Sequence, residues 1–86
     1  MRLQYTGRFQ RAYNALTDSD ADRVDKAIRL LKADPRHPGL RVKKVEGTEG
    51  VWEARASLSL RLTFEMHGDL IILRNVGRHD QALRQP

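Results

Sequence analysis

From Leu58 to His67 apolar and polar residues alternate without a break: Leu58, Leu60, Leu62, Phe64 and Met66 against Ser59, Arg61, Thr63, Glu65 and His67. A period of two is that of a β-strand, so the pattern predicts one face that buries five apolar side chains and a second that holds Arg61, Thr63, Glu65 and His67 together. An arginine fixed on a rigid sheet face is well placed to grip a phosphate. Gly68-Asp69 then predicts a tight turn into LIILRNV, the return strand of a hairpin. A two-residue loop pairs His67 with Leu70, Glu65 with Ile72, Thr63 with Arg74 and Arg61 with Val76, which puts Arg74 beside Thr63 on the face of Arg61.

The rest of the chain supplies the cover for the apolar face. MRLQYT reads as a first strand, and Phe9, Ala12, Tyr13 and Leu16 have the spacing of a short amphipathic helix. Thr17-Asp18-Ser19-Asp20 offers caps for a second helix with the stripe Ala21, Val24, Ala27, Ile28 and Leu31. Asp18, Asp20, Asp22 and Asp25 fall in its first turns, where they complement the helix dipole and are expected to face solvent, with no metal bound. Pro35 ends this helix near Asp34. After the Pro-rich connector, RVKKVEG predicts a short strand that packs Val42 and Val45 and leaves Arg41, Lys43 and Lys44 as a basic patch. VWEARAS predicts another, with Trp52, Ala54 and Ala56 on one face, Trp52 as a core anchor, and Glu53, Arg55 and Ser57 on the other. The order implies an α+β fold: an N-terminal strand, a two-helix hairpin, then a three- to four-stranded antiparallel sheet with helices on one face and the other face free. With no repeats or linkers, residues 1–86 are expected to form one domain.

Composition narrows the classes of function. Sixteen Lys and Arg against 11 Asp and Glu give a formal charge of +5, which favours an acidic partner such as nucleic acid or an acidic protein segment. The absence of cysteine removes disulfides, thiolate nucleophiles and Cys-based zinc sites. Neither a secretion signal nor a membrane span is legible, so a cytoplasmic protein is expected, with no membrane partner.

On or at the rim of the second sheet face the chain places Glu53, Arg55, Arg61, Thr63, Arg74, and, past Gly77, Arg78, His79 and Asp80. Cleaving a phosphodiester without metal needs a base for the attacking 2′-hydroxyl, an acid for the leaving oxygen and cations where charge grows. Histidine and glutamate suit the proton transfers and arginine the phosphate. The same charges also suit a solvated sheet face paired across strands. His37, between prolines, and His67, beside the turn, suit surface roles; His79 follows a strand end and a glycine, where loops often carry function.

The ordered set DPRHPGLRVKKVEG, VWEARAS, LRLTF, GDLIILRNVG and RHDQAL resembles the RelE/ParE toxin superfamily of bacterial toxin–antitoxin systems over nearly the whole chain. The resemblance implies a toxin neutralised by a cognate antitoxin, and, for RelE-like members, metal-independent cleavage of messenger RNA in the ribosomal A site by 2′-hydroxyl attack, with no cofactor. It implies the ribosome and messenger RNA as partners, and operator DNA as a partner of the toxin–antitoxin complex. Arg61 in LRLTF matches the arginine that holds the scissile phosphate, and His79 falls where related toxins carry a catalytic histidine or arginine. Glu53 and Arg55 approximately match positions from which some members draw a base or a phosphate ligand, so Glu53 is the expected accompanying catalytic residue, with Arg55, Arg74, Arg78, Lys43 and Lys44 expected as surrounding substrate-binding cations. Leu83 stands near where many active members have Tyr or Phe, an aromatic suited to stacking on a base. That departure keeps open a ParE-like gyrase inhibitor, or a non-toxic module that binds antitoxin and operator.

Overall fold

The computed structural model describes residues 1–86. The chain runs β1 (Arg2–Tyr5), α1 (Gly7–Asn14), α2 (Asp18–Ala33), a single 3₁₀ turn (Pro38–Leu40), β2 (Lys43–Lys44), β3 (Trp52–Arg55), β4 (Leu60–His67), β5 (Leu70–Arg78) and α3 (His79–Arg84). Each long helix starts where a threonine satisfies an orphan amide: Thr6 Oγ1 accepts from the Phe9 N–H and Thr17 Oγ1 from the Asp20 N–H, both at 3.1 Å. Asp34, extended ahead of Pro35, stops α2. The predicted stripes then find their partners. Phe9, Val24, Ala27 and Leu31 pack with Leu60, Leu62, Phe64, Ile71 and Leu73 in one cluster, and each large side chain fully removed from water there contributes about 1.5–3 kcal/mol. Trp52 packs against this cluster while remaining partly exposed.

The expected antiparallel sheet forms from four strands, β2 to β5, and the N-terminal strand extends it to five in the order β1-β5-β4-β3-β2, with β1 a parallel neighbour of β5. Side chains fasten that long-range pairing, with Arg2 bound to the Asp69 carboxylate and Thr6 Oγ1 donating to the Arg74 carbonyl at 2.9 Å.

Four expectations are corrected. The strand begins at Leu60, not Leu58: residues 57–59 form a turn and Leu58 is 83% exposed, while Met66, at the far end, is 36% exposed, so the alternating run buries three of its five apolar groups fully. The hairpin register holds for His67 with Leu70 and Glu65 with Ile72, but a bulge then takes up Arg74, so that Thr63 pairs with Asn75 and Arg61 with Gly77. An inserted residue shifts every later side chain by one position, which period-two counting cannot foresee. Asp20 is buried, not solvent-facing, because Arg78 reaches back from the end of β5 to pair with it at 3.0 Å. Lastly, the second sheet face is not free. α3 packs on β4 and β5, with Ala82 fully buried, and the chain end covers Thr63 and Asn75.

Candidate active site on the polar face of the sheet

Strand register assembles the central group. Arg55 stands directly opposite Arg61 across β3 and β4, Glu53 opposite Thr63, and Lys43 of β2 opposite Glu53. Directly opposed residues of an antiparallel pair share a face, so two guanidinium groups, one ammonium and one carboxylate are brought together. Glu53 is only 4% exposed and Arg61 7%. Glu53 Oε1 lies 3.8 Å from both Arg61 Nε and Lys43 Nζ.

Arg61 is held by backbone. Its Nη1 donates to the carbonyls of Ser57, Leu58 and Leu60 at 2.9, 3.0 and 3.1 Å, so the turn before β4 is wrapped around the guanidinium, and Nη2 makes no hydrogen bond within the protein. The same turn reaches His79, whose backbone N–H donates to the Ser59 carbonyl at 2.9 Å. The His79 ring is half exposed, with Nδ1 3.4 Å from Asp80 Oδ1. Burial, and then repulsion from Arg55, lower the Arg61 pKa from the usual arginine value, with Glu53 opposing them. A guanidinium starts so high that it stays protonated at neutral pH. Arg55 carries a buried Nε without a hydrogen-bond partner, and also borders the cleft between β3, α2 and the 3₁₀ turn. Two cations pressed together, one with an unsatisfied buried donor, form a local excess of positive charge suited to a doubly accepting anion such as phosphate.

The other predicted substrate-binding cations lie elsewhere. Arg74, carried out of register by the bulge, pairs with Glu65 and donates from Nε to the Pro86 carbonyl at 2.9 Å. His67 Nε2 is 2.8 Å from the other Glu65 oxygen, and these contacts, the His67 hydrogen bond foremost and Arg74 next, hold the Glu65 carboxyl below its usual value. Arg78, opposite core-facing Leu60, is turned to the helix side with Asp20 and Ser59. Alternation also divides the two lysines: Lys43 faces Glu53, whereas Lys44 is paired with Trp52 on the opposite face. One participant was not foreseen, and one expected residue, Thr63, has an unforeseen partner. Asn75 reaches the polar face only through the bulge, and its Nδ2 donates to the Gln85 carbonyl at 2.9 Å. Thr63 Oγ1 donates to the Pro86 carbonyl at 3.1 Å. No local periodicity marks either contact, because both depend on where the chain end folds back.

No family model matches the sequence, and no curated protein does. Solved structures do. YafQ from E. coli strain BL21(DE3) superposes with a TM-score of 0.80 at 15% identity, over 94% of this chain and 97% of that one. The YoeB/ParE toxin from Agrobacterium tumefaciens gives 0.76 at 20%, over 92% and 99%. RelE in the RelB–RelE antitoxin–toxin complex from Methanococcus jannaschii gives 0.73 at 19%, over 91% and 92%. At these identities the likeness is one of architecture: the chain has the fold shared by the RelE, YafQ and YoeB/ParE toxins.

Proposed function

We propose that this chain is the toxin of a toxin–antitoxin pair and that it cleaves messenger RNA on the ribosome. The observation that carries the proposal is the opposed Arg55–Arg61 pair, with its unsatisfied buried donor, beside Glu53; the half-exposed His79 is tied through its backbone N–H to the turn that wraps Arg61. In the proposed reaction the 2′-hydroxyl of the substrate loses its proton to a base and its oxygen attacks the adjacent phosphorus. The 5′-oxygen then leaves with a proton from an acid, and a 2′,3′-cyclic phosphate remains. Glu53 and His79 share the base and acid roles, and Arg61, Arg55 and Lys43 neutralise the charge that grows on the non-bridging oxygens. The fold likeness adds support for an antitoxin partner, since YafQ and RelE are solved in complex with DinJ and RelB. A short acidic protein encoded beside this chain, binding it and with it operator DNA, is the partner proposed here.

Induction in cells followed by mapping of messenger cleavage tests the chemistry. Losing a preorganised donor of this kind costs about 10²–10³ in rate, so Arg61→Ala should lift growth arrest. Because Arg61 also supports the turn, His79→Ala, at a half-exposed position, is the cleaner arm. If both variants arrest growth as the parent does, the cleavage chemistry is wrong. A second reading has an observation of its own. The commitment of Arg61 Nη1 to three carbonyls suits a structural clamp, and a toxin acting through its surface, as a gyrase inhibitor, would use it so. Inhibition of purified gyrase by the chain and by its His79→Ala variant alike would favour that reading.

A further inference from the structure

We infer that a second basic surface, on the opposite face of β3 from Arg61, is a binding groove for single-stranded nucleic acid. An open groove of about 690 Å³ runs between the connector after α2 and strands β3 and β4, lined by Arg36, His37, Arg41, Val42, Trp52 and Met66. Trp52 rests one part of its indole on the core and leaves the rest to the groove, beside the 36% exposed Met66. Around this flat apolar floor stand cations with no partner of their own: neither Arg36, Arg41 nor Lys44, which lies opposite Trp52 on β2, makes a side-chain hydrogen bond or ion pair. The carboxylate in the wall, Asp34, is occupied, accepting the Arg36 backbone N–H at 2.9 Å.

The groove is also stiff. Pro35 and Pro38 bracket it, His37 Nδ1 accepts the Gly39 N–H at 3.1 Å, and Arg41 closes the 3₁₀ turn with φ at 47°, a left-handed conformation that residues with a Cβ rarely adopt. A glycine would be the ordinary residue for that position; an arginine there trades backbone ease for a guanidinium at the groove mouth. A partly exposed indole flanked by unpaired guanidinium groups is the pairing that single strands use, bases stacking on the aromatic face and phosphates meeting the cations. An acidic peptide would satisfy the charges but has no need of the ring. The site does not depend on cleavage at Arg61, since β3 and β4 separate the two.

Trp52 is the only tryptophan, so its emission reports on the groove alone. Titrating the full chain with 2′-O-methyl hexauridylate, which cannot undergo 2′-hydroxyl attack, should give saturable quenching. Arg36→Ala and Arg41→Ala should each weaken it and lower the slope of log affinity against log salt by about 0.7, the share of one phosphate contact on a single strand. Quenching should survive in Arg61→Ala and His79→Ala, so that failure of the cleavage proposal leaves this one standing and the reverse. Absence of quenching overturns the inference, as does quenching unchanged in the Arg36→Ala/Arg41→Ala double variant. Equal or stronger quenching by a hexaglutamate peptide would make the groove a surface for acidic protein instead. Both arginines are outside the core, and thermal melting confirms that the variants remain folded.

Discussion

The two basic regions lie on opposite faces of β3 and are built in opposite ways. Around Arg61 the cations converge on one carboxylate, Glu53: Arg61 is buried, crowded by Arg55 and pinned by backbone carbonyls, while Lys43 reaches in from solvent. Around Trp52 they are unpaired and set on a rim of prolines and turns. Burial of like charges is tolerable only with fixed partners, and those partners preorganise whatever the site holds. Exposed charge needs no such support and suits loose, salt-sensitive contact with a polymer. The same strands thus provide one rigid station and one open track.

Substitutions sharpen this contrast by their size. The largest effect is expected at Glu53→Ala, which leaves Arg61 buried without its carboxylate: removing one member of a buried pair costs about 3–5 kcal/mol, read as a fall in urea midpoint. If stability hardly changes, the Arg61 region is not electrostatically closed as described. Thr63→Val keeps the shape but forfeits the hydrogen bond that ties the chain end to β4, and should cost about 1 kcal/mol in the same unfolding experiment. In the open groove the sign should reverse. Arg41→Gly relieves a left-handed residue and should raise stability by about 0.5–1 kcal/mol while weakening oligonucleotide binding, an exchange that calorimetry and fluorescence together can check.

The smallest effect concerns pH. Glu65 has its folded-state pKa depressed by His67 and Arg74, so its contribution is present above the unfolded carboxylate value and fades as pH falls through the folded one. Parent and Glu65→Gln should therefore differ by a small margin above the usual glutamate range and converge in melting temperature only once pH falls through the depressed folded-state value beneath it. A gap that widens on acidification would reverse the sign assigned to this contact.

Local pattern settled much of the molecule. The two helices, the capped start of the second at Thr17, the Gly68-Asp69 hairpin and the apolar face of β4 all follow from caps, breakers and periods of 3.6 and 2, which are properties of neighbouring residues. The same alternation set Glu53, Arg55 and Arg61 on one face and Trp52 on the other. What alternation could not contain was contact between distant segments. The parallel seat of β1, the bulge that sends Arg74 to Glu65, the reach of Arg78 to Asp20 and the return of Gln85 and Pro86 over Thr63 and Asn75 each join residues that no short window holds together. Sequence thus decided which side of a strand each charge would take. Only the folded chain decided which charges would be buried, neutralised or left free, because burial and pairing depend on what packs above a face as well as on the face itself.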